Sequence, residues 1–79
     1  MILKIHINLK PTILDPQGEA ISKSLKSLGF ESIKSVRQGK IIEIDIDEMD
    51  KIKASAIAVE MCKKLLTNTV IEDFNVEIE

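Results

Sequence analysis

In the opening stretch MILKIHINLK, apolar side chains fall at Leu3, Ile5, Ile7 and Leu9 with Lys4, His6 and Asn8 between them. That period of two belongs to a strand with one dry face and one wet face. It constrains everything after it, because a lone strand buries nothing and must find neighbours and a covering layer within 79 residues. Fourteen isoleucines, two phenylalanines and no Trp or Tyr make the core aliphatic and β-branched, which also favours sheet. A chain this short buries only about 60% of its unfolded surface, so an oligomer would supply missing burial.

Pro11 ends the first strand, and Asp15-Pro16 reads as a helix start, with Asp15 as N-cap and Pro16 at the first helical position. Ile21, Leu25 and Leu28 recur at helical spacing and Gly29 suits the closing left-handed position, so the first helix spans about 16 to 28. In SVRQGKII, a two-residue turn at Gln38-Gly39, with Gly39 at positive φ, would set Arg37 opposite Lys40, Val36 opposite Ile41, Lys34 opposite Glu43 and Ile33 opposite Ile44. From Asp47 to Asn68 the pattern turns helical, with Ile52, Ala56, Val59, Cys62 and Leu66 as the apolar stripe and Glu60-Lys64 as a favourable i,i+4 pair. Phe74, Val76 and Ile78 alternate as a last strand.

The resulting order β-α-β-β-α-β, with no linker, predicts one α+β domain over residues 1–79. Its architecture is the ferredoxin-like one: a four-stranded antiparallel sheet with both helices on one face. Strands one and three would be central. The uncovered face would carry Lys4, His6, Asn8, Lys34, Val36, Ile41, Glu43 and Asp45.

Most chemistry is missing from this frame. Eleven basic against thirteen acidic side chains, with no basic run and no stacking aromatics, argue against nucleic acid as a partner. The N-terminal alternation is not a signal peptide, no run matches a membrane span, and a single cysteine suits a reducing cytoplasm. Cys62 lies on an apolar stripe and reads as an inert buried thiol. His6 has no carboxylate or nucleophile beside it in sequence and reads as a surface residue. The acidic run Glu43, Asp45, Asp47, Glu48 and Asp50 reads as a solvated strand face followed by a helix start, not a metal site. The sequence therefore predicts no catalytic residues and no cofactor held by this chain.

Two places are richer than folding requires. Gln17 and Gly18 follow a helix start that Asp15-Pro16 already explains, and glycine there costs about 1 kcal/mol against alanine. Arg37, the only arginine, stands beside Gln38, Gly39 and Lys40 where Asn or Asp would serve a turn better. Asp15, Gln17, Gly18, Arg37, Gln38, Gly39 and Lys40 thus form the candidate partner interface. The residues alone leave partner surface and plain turn chemistry equally open.

Taken together and in order, LDPQG (Leu14 to Gly18), VRQGK (Val36 to Lys40) and VIED (Val70 to Asp73) closely resemble the small S subunit of phosphoribosylformylglycinamidine synthase, over nearly the whole chain. Pro11-Thr12 and Asn68-Thr69 depart from the Pro-Gly and Asn-Pro common at those places in the family. The resemblance implies a noncatalytic, homodimeric subunit of de novo purine biosynthesis. In that family it bridges a glutaminase subunit, which releases ammonia, and a large synthetase subunit, which binds ATP and Mg and converts formylglycinamide ribonucleotide to the amidine. The alternative from another class is a small-molecule-sensing regulatory domain of the same topology, binding an amino acid at the first strand-to-helix loop.

Overall fold

The computed structural model describes residues 1–79. The first strand, β1 (Ile2–Leu9), lies at the centre of a three-stranded antiparallel sheet. β2 (Lys40–Asp45) pairs on one side with Ile5 opposite Ile42, and β3 (Glu72–Ile78) on the other with Ile5 opposite Val76. The alternation in β1 works as the period of two requires: Leu3, Ile5 and Ile7 are at most 1% exposed. Lys4 and His6 face the open side, where Lys4 Nζ lies 2.6 Å from Glu79 Oε1. That hydrogen bond and its charge hold the Lys4 ammonium above its ordinary pKa.

Helix α2 (Lys51–Met61) covers the dry side. Asp50 caps it, its Oδ1 accepting from Ile52 N at 2.9 Å. The helix lies close to the strand because Ala54 and Ala58 sit directly over Leu3. Small residues let a helix backbone approach branched strand side chains without voids. The helix then widens into a π turn, Cys62–Leu66, closed by Thr67 N donating to Cys62 O at 3.0 Å. Cys62 completes the second part of the core with Ile5 and Ile7, and burial pushes its thiol pKa up. Glu60 and Lys64 pair as expected at 3.3 Å.

Several expectations are overturned. The sheet has three strands and not four: residues 31–39 form no strand, and there is no hairpin at Gln38-Gly39. The expected pairings of Arg37 with Lys40, Val36 with Ile41, Lys34 with Glu43 and Ile33 with Ile44 are absent, because Arg37 and Gln38 are held instead by the carbonyls of Lys10 and Ile13 and by the Asp15 carboxylate, and the outer edge of β2 stays unpaired. Gly29 is the only residue at positive φ, so Gly39 is not there for turn geometry. β1 alone is central, and Lys34 and Val36 lie outside the sheet. The stripe on α2 is also rotated from the one expected: Ala54, Ala58 and Cys62 are buried, whereas Ile52 is 82% exposed. Bulky β1 side chains select the alanines, a preference that apolar spacing does not reveal.

Only one helix covers the sheet. Helix α1 (Pro16–Ser27) starts and stops where expected, with Asp15 as cap and Gly29 at φ 102°. It nevertheless packs on neither β1 nor α2. The chain leaves along α1 and returns along residues 30–38, and the Val36 carbonyl arrives beside Gly18. Together they form an arm, and the radius of gyration is 16.0 Å, against about 11.6 Å for a compact chain of this length.

The core geometry sets a contrast. Ile5→Ala should cost about 2 to 5 kcal/mol, whereas Ile41→Ala, at a side chain 61% exposed on the same sheet, should change stability by about 0.5 kcal/mol or less. Urea unfolding of both variants checks this.

Candidate functional site

The seven residues singled out from sequence meet at one corner, where the end of β1, the start of α1 and the start of β2 converge. Asp15 is the hinge. It is buried, and its Oδ1 accepts from Gly18 N at 2.9 Å while its Oδ2 accepts from Gln38 N at 2.7 Å. The first bond caps α1, and the second ties that cap to a residue more than twenty positions away. These two bonds, that to Gln38 foremost, hold the Asp15 carboxyl below the usual carboxylate range.

Both glycines serve close approach. A Cβ on Gly18 would collide with the Val36 carbonyl, and one on Gly39 with the Asn8 side chain and the Ile7 carbonyl. The functional excess noted at Gly18 thus has an internal cause, since the return segment passes directly over the first turn of α1.

Arg37 does not project from a hairpin end, nor does it oppose Lys40. Its Nη1 donates to Ile13 O at 2.8 Å and its Nη2 to Lys10 O at 3.0 Å. The loop after β1 would otherwise leave these carbonyls to water, and a planar fork of donors suits them better than an ammonium could. Gln38 Nε2 donates to Gln17 Oε1 at 2.9 Å, so the two glutamines are clasped side chain to side chain. Lys40 Nζ stands 3.8 Å from Glu72 Oε2.

These groups line a polar cavity of about 210 Å³, with Asp15, Gln17, Gln38, Gly39, Lys40 and Glu72 around a floor of Ile7 and Leu9. Glu72 is the residue that sequence reasoning did not assign to the site. The available signal was its place in VIED. Glu72 Oε1 also accepts from Asn68 N at 2.7 Å, and Lys10 N donates to Ile71 O at 2.8 Å. All three motifs therefore share one corner. His6 lies on the open sheet face, its Nε2 4.0 Å from Glu77. No three side chains converge to hold a metal ion.

A small α+β domain whose polar corner is locked through backbone carbonyls and amides is the class that fold and site define. A family model described as PurS: Phosphoribosylformylglycinamidine (FGAM) synthase matches residues 2–79. The PurS subunit of that synthase from Bacillus subtilis is 42% identical over 77 residues, covering 98% of this chain and 90% of its own length. The subunit from Mycobacterium leprae is 45% identical over 75 residues, covering 95% and 91%. Among solved structures, Methanocaldococcus jannaschii PurS superposes with TM-score 0.90 at 38% identity, covering 99% of this chain and 94% of that one. A chain of PurLQS from Thermotoga maritima gives TM-score 0.82 at 30% identity, covering 98% and 96%. The chain belongs to the PurS family and is a subunit of phosphoribosylformylglycinamidine synthase, of purine biosynthesis.

Two outcomes follow from the corner. Because the folded pKa of Asp15 lies below its unfolded one, the stability it contributes is complete above the ordinary carboxylate value of about 3.9 and is lost as the pH falls through the folded pKa. Asp15→Asn should lower the melting temperature at pH 7 and flatten the acid side of the stability profile, read by thermal melts from pH 2 to 7. Arg37→Ala should also lower stability, by about 1 kcal/mol, since exposed charge-assisted bonds to carbonyls are lost. Chemical denaturation checks the second.

Proposed function

We propose that this chain is the noncatalytic bridging subunit of the synthase, and that its polar corner is a surface on which a partner subunit docks. The carrying observation is the convergence of Asp15, Gln17, Gly18, Arg37, Gln38, Gly39 and Lys40 from two distant segments onto one locked corner. Asp15, Gly18, Gly39 and Arg37 shape that surface, while Gln17, Gln38 and Lys40 present polar side chains on it. Similarity to a chain of the Thermotoga maritima PurLQS structure supports assembly with glutaminase and synthetase subunits. In this reading the glutaminase releases ammonia, the synthetase binds ATP and Mg, and this chain couples them in the cytoplasm without a cofactor of its own. No helix is long and apolar enough to cross a membrane.

The chain works as a homo-oligomer. Its accessible surface is 5874 Å², whereas a compact monomer of this mass exposes roughly 4,800 Å². The surplus is surface that a second copy can cover. An amino-acid-sensing role is disfavoured by the same corner: both Asp15 oxygens and both Glu72 oxygens already have partners, so no free carboxylate awaits an ammonium group.

Lys40→Gln tests the docking surface, since an amide keeps the reach of the side chain without setting a second carboxylate against Glu72. The side chain is 57% exposed, so the melting temperature should hold within a few degrees. Affinity for the glutaminase and synthetase pair should fall about tenfold, equivalent to about 1.4 kcal/mol. Glutamine-dependent amidine formation at limiting subunit should fall with it, and ammonium should restore much of the rate. Unchanged affinity and rate would refute the corner as a docking surface.

A further inference from the structure

Two apolar side chains at the corner have no role inside the chain. Leu14 is 70% and Val70 77% exposed, and each falls within two residues of a carboxylate that lines the corner cavity, Asp15 for the one and Glu72 for the other. Leu14 directly precedes the cap of α1. An apolar residue at that position commonly packs against the fourth residue of the helix, but here that residue is Glu19, so Leu14 staples nothing. Val70 stands outside β3 and outside both parts of the core.

Single exposed apolar residues are ordinary on a protein surface. These two differ in being carried on backbone that is tied down. Ile13 N donates to Lys10 O at 2.9 Å and Arg37 Nη1 to Ile13 O at 2.8 Å, which fixes the loop before Leu14. Val70 N donates to Asn68 Oδ1 at 3.1 Å and Ile71 N to Asn68 O at 3.1 Å, which fixes the loop around Val70. Lys10 N, donating to Ile71 O at 2.8 Å, joins one loop to the other. Apolar groups on so fixed a backbone lose little freedom when they are covered, and that is the property of an interface anchor.

The polar part of the corner is electrically balanced. Asp15 and Glu72 set two negative charges against the two positive charges of Arg37 and Lys40. Both Asp15 oxygens and Glu72 Oε1 already accept from backbone amides. What remains open is neutral: Gln38 Nε2 donates to Gln17 Oε1 at 2.9 Å, which leaves the amide N–H groups of Gln17 and the carbonyl of Gln38 for another molecule. Over the apolar floor of Ile7 and Leu9, an entering charge would lose its water without meeting a surplus of opposite charge. A side-chain amide, a hydroxyl or a peptide group meets a donor and an acceptor there at no such cost.

We propose that Leu14 and Val70 are the anchors by which the corner docks on a partner subunit, and that the matching patch on the partner is uncharged: apolar side chains cover the two anchors and a neutral hydrogen-bonding group enters the cavity. This rests on the docking reading given above and names the chemistry that the surface takes. The balance also explains why Lys40 matters to that reading, since its loss leaves Glu72 uncompensated at a contact with no charge to answer it.

The test measures, by calorimetry, the affinity of full-length chains for the separate glutaminase and synthetase subunits and for the pair. Leu14→Ala and Val70→Ala should each weaken binding to at least one of these by about tenfold, with melting temperatures unchanged because both side chains are exposed. Leu14→Glu and Leu14→Lys should both weaken it, by similar factors at low and at high salt. Met49→Ala, at a side chain 88% exposed beyond the far end of β2, should bind as the parent does. Tighter binding by either charged variant would reveal a charged patch on the partner and overturn the proposal, and an equal loss in Met49→Ala would overturn it by showing that the corner is not singled out. Parent-like affinity of both alanine variants overturns it as well: if Lys40→Gln still loses affinity, the corner docks through other contacts, whereas a parent-like Lys40→Gln removes the docking reading itself.

Discussion

A single carboxylate connects the two halves of this molecule. Asp15 caps α1 with one oxygen and receives the backbone amide of Gln38 with the other, so the start of the first helix and the approach to β2 are joined through one buried side chain. A neutral amide in its place offers only one oxygen and cannot make both charge-assisted bonds. The Arg37 fork on the loop carbonyls and the Gln38–Gln17 bond join the same segments beside it. The arm leaves at the angle set by the cap, the return segment passes over Gly18, and Arg37 arrives where it can bind the carbonyls of the loop after β1.

The core is correspondingly economical. Leu3, Ile5 and Ile7 from one strand meet Ala54, Ala58 and Cys62 from one helix, and these six are the fully buried hydrophobic residues. The small helix residues bring the backbones together, and the large strand residues fill the layer. Such a core leaves apolar surface on the far side of α2 and along the arm. The polar corner is thus settled within the chain, while part of its apolar surface remains exposed.

The motifs acquire a shared reason in this arrangement. LDPQG supplies the cap and the close-approach glycine. VRQGK supplies the amide, the guanidinium fork and a second close-approach glycine. VIED supplies Glu72 opposite Lys40. Together they build one corner of fixed shape; on the proposed docking role, a partner would meet a preformed surface with little ordering left to do.

What the sequence by itself determined is everything governed by local chemistry. The alternation of β1 and β3, the Asp15 cap, the left-handed Gly29 and the Glu60-Lys64 pair were all legible, because each depends on residues a few positions apart. LDPQG and VRQGK also marked the corner residues assigned from sequence, whereas Glu72 stood in VIED without being assigned to the corner. Only the tertiary structure decided how those residues meet. Residues 32–38 carry strand-like composition and a plausible hairpin register, yet Arg37 finds carbonyls and Gln38 N finds a carboxylate more than twenty residues away, and the segment stays off the edge of β2. The face that α2 buries was likewise decided across space, by the size of the β1 side chains beneath it and not by the count of apolar residues along it. Spacing reports which residues can share a face. Which face wins, and whether α1 covers the sheet at all, depends on long-range bonds and close backbone contacts that periodicity along the chain does not encode.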